Sequence, residues 1–176
     1  MTQLLITISK IYADALIELG DFDKTLKELD IITEICSNSK DLVQILESPT
    51  VSVEKKFLII DEVFLKDINE KMRNFLKVLA EKKRFNEFSN IKEAFSNEVD
   101  KIKNIKRIEV ISAIELNEDK KQAVIRKLKE KLQKEIIANW NTDKSIIGGL
   151  IIKIDDNVID TSLKNKLKNL SKNIEV

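Results

Sequence analysis

Apolar and polar positions repeat at a helical interval as far as about residue 104 and then change period. The spacing over 4–19 predicts a helix closed by Gly20, since glycine takes the left-handed backbone that ends a helix. In this stretch Thr7, Lys10, Asp14 and Glu18 fall in one narrow stripe, and apart from Ser9 the remainder is apolar. A helix packed on a single core needs an apolar face only a little over ~100° wide. The first helix exceeds that, and burial on two sides is expected. A second helix is predicted over 22–36 with Phe22, Leu26, Leu29 and Ile32 or Thr33 inward, and a third over 42–46, before Ser48-Pro49. A fourth opens at Ser52 or Val53 and carries Phe57, Ile60 and Phe64. A fifth, over 69–82, aligns Met72, Phe75, Leu76 and Leu79. A sixth, over 85–103, aligns Phe88, Ile91, Phe95, Val99 and Ile102.

Beyond residue 104, Ile108, Val110 and Ser112 alternate with Glu109, Ile111 and Ala113, which reads as a strand. Asn117 is a natural cap for a helix with Glu118 and Asp119 in its first turn and Val124, Leu128 and Leu132 as its stripe. A weak strand is predicted over 135–141 and a strong one over 150–154. An Asp156-Asn157 turn and a Val158-Ile159 extension follow, and a last helix starts at Asp160 or Ser162 with Leu163, Leu167, Leu170 and Ile174 aligned. The expected fold is α+β, mostly α: a six-helix N-terminal domain over 1–104 and a small α+β C-terminal domain over 105–176.

Composition agrees with this division. Of 176 residues only three are glycine and one is proline, which favours helices. The net charge is +1, so the chain as a whole is not expected to bind nucleic acid. Residues 1–104 hold 16 Lys and Arg against 19 Asp and Glu (net −3), and residues 105–176 hold 15 against 11 (net +4). Two units with different partners, or ordinary scatter along a helical chain, both fit that change of sign. No histidine is present, which rules out a histidine base, a Ser-His triad and a histidine-ligated metal. Cys36 stands alone and is expected as a small core residue. The N-terminal stretch has no cationic leader, and Lys10 and Asp14 interrupt its apolar run, so it does not read as a signal peptide. No stretch approaches the ~20 apolar residues of a membrane span, and no direct membrane insertion is expected.

Little of this points to chemistry. Gly148-Gly149 lacks the Lys-Ser/Thr that follows a phosphate loop, and is expected to permit a close backbone approach. Asp155, Asp156 and Asp160 read either as a carboxylate cluster for a divalent cation or a small hydrolase, or as one turn and one helix cap; the turn and cap is the stronger reading. No cofactor is expected.

Several segments, in order, resemble a known family. Tyr12-Ala13-Asp14-Ala15-Leu16 is similar to the Tyr-Ala-x-Ala-Leu segment near the start of ATP synthase delta subunits. Asn74–Leu79, with Arg84, Phe88, Ile91 and Phe95 after it, resembles their next block, and Val110–Ala113 their Val-x-Ser-Ala strand. Ile147–Asp155, then Val158–Leu163 and Leu167, is similar to their closing segment. Lys144 stands where proline is common, and Thr161 where glycine is frequent.

The resemblance implies a non-catalytic stator subunit of a proton-translocating F-type ATP synthase. Its N-terminal domain would bind the N-terminal segment of an alpha subunit, and its C-terminal region the C-terminal ends of the peripheral-stalk b subunits. The mitochondrial counterpart is the oligomycin-sensitivity-conferring protein. The start at Met1 without a transit peptide leads to the bacterial form as the expectation, peripheral on the cytoplasmic face of the inner membrane. A helical adaptor unrelated to ATP synthase is the rival reading. On this resemblance Tyr12, Ala15 and Val78 border the alpha-subunit groove, unless they belong to the bundle core. Leu163, Leu167, Leu170 and Ile174 face the stalk, unless they close the C-terminal domain's own core.

Overall fold

The computed structural model describes residues 2–163 and 165. Among them the elements run α1 (Thr2–Ile17), α2 (Phe22–Asn38), α3 (Lys40–Glu47), α4 (Val53–Phe64), α5 (Glu70–Glu81), a 3₁₀ turn (Phe85–Glu87) and α6 (Phe88–Ile102). After these come β1 (Ile105–Ser112), α7 (Glu118–Leu132), β2 (Glu135–Thr142), β3 (Leu150–Ile154) and β4 (Asn157–Asp160). The fold is mostly helical with one small sheet. The chain divides into two compact units after Val99, inside α6.

Local chemistry fixes where the helices begin. The side chains of Asp21, Asn69 and Asn117 accept the backbone N–H three residues on, at 3.1, 2.8 and 3.1 Å, and Ser52 does so more loosely at 3.5 Å. Each such cap is worth about 1 kcal/mol. In the helical unit one core draws on every helix: Ala13 and Leu16 from α1, Leu29 and Ile32 from α2, Leu46 from α3, Ile60 and Phe64 from α4, Leu76 and Leu79 from α5, and Ile91 and Phe95 from α6. Burial of a large aliphatic or aromatic side chain contributes roughly 1.5–3 kcal/mol, which makes this cluster the main support of the unit.

Two buried polar groups hold the helix ends to one another. The Glu28 carboxylate accepts from the Asn69 backbone N–H (3.1 Å) and from its amide (2.9 and 2.8 Å), tying α2 to the start of α5. The buried Lys56 ammonium donates to the Leu46 carbonyl at 2.7 Å and satisfies an otherwise orphaned acceptor in the last turn of α3. Burial, and then the charge of Lys83, lowers its pKa.

In the second unit the sheet order is β2-β1-β3-β4. β1 and β2 run parallel, joined by α7 as the crossover, while β1–β3 and β3–β4 are antiparallel. α7 covers one face, packing Leu128, Val124 and Ile125 over Ile108, Val110, Ile136 and Ile152. On the face away from it Glu109 accepts from Lys153 (3.0 Å) and from the Asn141 amide (2.8 Å). Arg107 grips Asp100 with two nitrogens, at 2.5 and 3.1 Å.

Several boundaries differ from the sequence expectation, each for a local reason. α1 ends at Ile17, because Leu19 and Gly20 bond back only three residues (3.2 and 3.1 Å), a tighter turn that Gly20 completes at φ +87°. The sixth helix starts at Phe88, preceded by the 3₁₀ turn Phe85–Glu87, and the Phe85 ring stacks on that of Phe88 at 6.0 Å. Ile102, in line with the apolar stripe, is exposed: it is the last residue of α6, and the helical core ends at Val99. The tight reversal after β3 is Asp155-Asp156, one residue earlier than expected. Asp155 takes left-handed backbone at φ +50°, and Asn157 already pairs with Ile154.

Candidate functional site

Two surfaces qualify, one in each unit. In the helical unit the first is built from α1 and α5. Tyr12 lies edge-on to Phe75, with ring centroids 6.1 Å apart and planes at 77°. The Arg84 guanidinium sits 5.8 Å over the Tyr12 ring and donates to its hydroxyl at 3.4 Å. Ala15 lies one turn along α1 from Tyr12, and Val78 one turn along α5 from Phe75, which places both beside this contact. Ala15 is exposed, Val78 is 42% exposed and Ile11 62%. Among the described residues, therefore, α1 is covered on the side of Ala13 and Leu16, and Ile11 and Ala15 stay exposed. Tyr12 is half-buried against the core, and Ala15 and Val78 are outside it. Sequence spacing gave Ile11 and Arg84 no role. Ile11 was recoverable from the excess apolar surface of the first helix, whereas Arg84 was marked only as part of the block that resembles the family.

The second surface is a cleft of about 520 Å³ in the α+β unit, between the connection after β1, the first half of α7 and residues 147–150. Ala113, Leu116, Ala123, Val124 and Leu150 line it, and Ile114 and Ile147 stand exposed on its rim. Gly149 makes the approach beneath it possible: at φ +91°, a Cβ there would sit 2.5 Å from the Thr161 carbonyl oxygen. Thr161 closes the same approach by donating from its hydroxyl to the Leu150 carbonyl (2.7 Å) and accepting the Leu150 N–H (3.2 Å). Leu163, half-exposed, lies against Gly148, whose Cβ would meet it at 3.0 Å. Leu167, Leu170 and Ile174 lie outside the described residues. Ser162, not Asp160, caps the last turn, accepting the Asn165 N–H at 3.2 Å. Asp160 in turn accepts from Ser162, and these bonds hold its carboxyl below the usual range.

Neither surface carries reactive chemistry. Asp155 pairs with Lys106 and Asp160 accepts the Ser162 N–H, so both aspartates serve turns and the cap is Ser162; among the described residues no group of three metal-ligating side chains occurs. Burial, with a smaller contribution from Glu47, pushes the Cys36 thiol up to about 11, opposite to a reactive thiolate. Among the described residues no helix is long and apolar enough to cross a membrane.

Known proteins agree with one another on the kinship. A relative from Chlorobium chlorochromatii, ATP synthase subunit delta, is 32% identical over 92% of this chain and 93% of its own. The subunit delta of Lachnoclostridium phytofermentans is 33% identical over 95% of this chain and 94% of its own. A chain in the cryo-EM structure of the Toxoplasma gondii mitochondrial ATP synthase hexamer shares the fold with a TM-score of 0.65, at 17% identity, over 96% of this chain and 97% of that one. The family model described as ATP synthase delta (OSCP) subunit matches residues 8–174. An adaptor unrelated to ATP synthase and a small hydrolase are both set aside by these matches, and the chain belongs to the ATP synthase delta (OSCP) subunit family.

Proposed function

We propose that the six-helix unit docks the N-terminal segment of an alpha subunit on the α1/α5 surface, while the α+β unit holds the C-terminal ends of the b subunits. As a member of the delta family the chain is a non-catalytic stator subunit of an F-type ATP synthase and a peripheral part of that complex. A stator resists torque by gripping two partners, which requires apolar docking area and no reacting group. The observation that carries the alpha-subunit reading is the exposure of Ile11, Ala15 and Val78 beside the Tyr12–Phe75 contact. An amphipathic helix laid along such a face buries it without asking the unit to refold. In the bacterial arrangement we infer, the assembly sits at the cytoplasmic face of the inner membrane.

The test is capture of each partner by the full chain and by a chain ending at Asp160. The shortened chain is expected to keep the alpha segment and lose the b subunits. Equal loss of both overturns the assignment of one partner to each unit.

A further inference from the structure

We propose that the cleft between residues 113–116, the first half of α7 and residues 147–150 binds a small aliphatic carboxylic acid, its hydrocarbon tail against Leu116, Val124 and Leu150 and its carboxylate on the Lys120 ammonium. The chain alone supplies the whole lining, so the site stands whether or not this unit also holds a stalk partner.

The cleft has the build of a ligand site. Small-molecule sites are concave, mostly apolar and about 300–1,000 Å³ in volume, with a few polar groups that orient what they bind. Here about 520 Å³ is bounded mostly by apolar residues, and the room exists because Ala113, Ala123, Gly148 and Gly149 carry little or no side chain. Ile114 and Ile147, 64% and 70% exposed, stand on the rim, and a tail laid between them removes part of that surface from water.

The polar groups select the head group. The Ser112 hydroxyl is already spent, donating to the Ile114 carbonyl at 2.5 Å. Lys120 is the one charged side chain of the lining, and no carboxylate accompanies it there. Among the described residues its ammonium has no hydrogen bond or ion pair, whereas Lys121 beside it is held by Glu118 at 2.7 Å. The Gly148 and Gly149 N–H groups likewise have no backbone acceptor among the described residues. A carboxylate offers two oxygens and accepts from donors of both kinds. An uncharged hydrocarbon would displace water from the ammonium and give it no partner. A cation would be repelled, and a compact anion such as phosphate would leave the apolar walls in water. A monocarboxylate with an aliphatic tail satisfies both parts of the lining.

The experiment titrates sodium decanoate, below the concentration at which it forms micelles, into the full chain and follows heat and amide NMR shifts. Saturable binding of one decanoate per chain is expected, with the shifts centred on residues 112–124 and 147–150. Octanoate and hexanoate should bind progressively more weakly, by up to about fourfold per methylene lost. Lys120→Gln should weaken decanoate binding several-fold, while Lys121→Gln, at the lysine already paired, should not. Ala123 is exposed, so Ala123→Leu is expected to fill the cleft and abolish binding with the melting temperature unchanged; Ile147→Asp is a second block should the leucine disturb the fold. Absence of saturable binding overturns the site. So does equal binding of decyltrimethylammonium, or undiminished binding to both Ala123→Leu and Ile147→Asp, since either marks adsorption elsewhere. Binding seen only after removal of residues 166–176 gives the cleft to the chain's own tail, and a concentration-dependent dimer abolished by Ala123→Leu gives it to a second copy; each of these also overturns the assignment.

Discussion

Placing a charge at Val78 separates docking from folding. Val78 is 42% exposed and outside the helical core, so an aspartate there keeps its carboxylate in water in the free chain. Exposed substitutions of this kind change stability by about 0.5 kcal/mol or less. In a complex with the alpha-subunit segment the same carboxylate is buried with no partner designed for it, a penalty of about 3 kcal/mol. That is roughly a hundredfold loss of affinity, since every ~1.4 kcal/mol is a factor of ten. Lys82 lies one turn on and partly offsets the introduced charge, which makes Val78→Lys the stricter variant. Ala15→Asp is the same perturbation made from α1. Tyr12→Ala differs in kind: it also removes the edge-on contact with Phe75, about 0.5–1.5 kcal/mol, and destabilises the free chain. Calorimetry with an alpha N-terminal peptide and a thermal melt of each variant check the two halves of this argument. Unfolding of the free chain by both Val78→Asp and Ala15→Asp would refute it, as would normal peptide binding by both.

Further outcomes follow from the buried and hydrogen-bonded groups. Glu28→Ala strips the Asn69 N–H and amide of their acceptor and should destabilise the helical unit by about 2 kcal/mol in a denaturant melt, while Glu28→Gln, which keeps an acceptor oxygen, should lose less. The Cys36 thiol, raised to about 11, should react with a disulfide reagent near pH 8 far more slowly in the folded chain than in urea; equal rates would contradict its burial. The Glu109 carboxyl is lowered first by the hydrogen bond from Lys153 and then by that from Asn141. Its contribution to stability is therefore present above the unfolded pKa and lost as pH falls through the lower folded one. A carboxyl titration followed by NMR should show a depressed midpoint that Lys153→Met moves back up.

Helices with one apolar stripe and a cap were legible in the sequence because one set of residues determines both. Asn117 announced α7 and is seen accepting the N–H three residues on; Asn69 does the same for α5, where the sequence reading had only the apolar stripe. β3 matched its expected span, since Leu150–Ile154 is an apolar run with a glycine pair before it and an aspartate turn after it. β2 was weak in the sequence because it is the edge beside β1, and its second face, with Glu135, Asn139 and Asn141, meets water. What local pattern could not give were pairings distant along the chain. Glu28 reads as an ordinary surface acid in α2 until Asn69, forty-one residues away, is brought to it. Lys56 reads as a surface base until the end of α3 supplies its carbonyl.

The proposed docking surfaces could be read in the sequence only where apolar residues were in excess, because the physical preference that fills a core also fills an interface. Ile11, Val78, Ile114 and Ile147 carry the same kind of side chain as Leu16, Leu79, Val110 and Ile152, and hydropathy ranks the two sets alike. Exposure in the folded chain separates them: the second set is buried and the first remains in water. Around α1 the excess was visible, since one core cannot cover an apolar surface that wide. In the α+β unit it was not visible, because Ile114 and Ile147 lie in connections where no period predicts a face. There the informative residues are those that supply no surface of their own. Gly149 lets the chain pass within van der Waals distance of Thr161, and Ala113 and Ala123 stop short of the cleft, so the space between two exposed isoleucines is created by small side chains. Enlarging one of them tests the cleft more directly than shaving an isoleucine. Ala123→Leu adds apolar area, which favours folding if it matters at all, yet occupies the volume that a stalk helix would need. Loss of stalk capture with an unchanged or raised melting temperature would locate the interface in that space, and retention of capture would place it elsewhere on the unit.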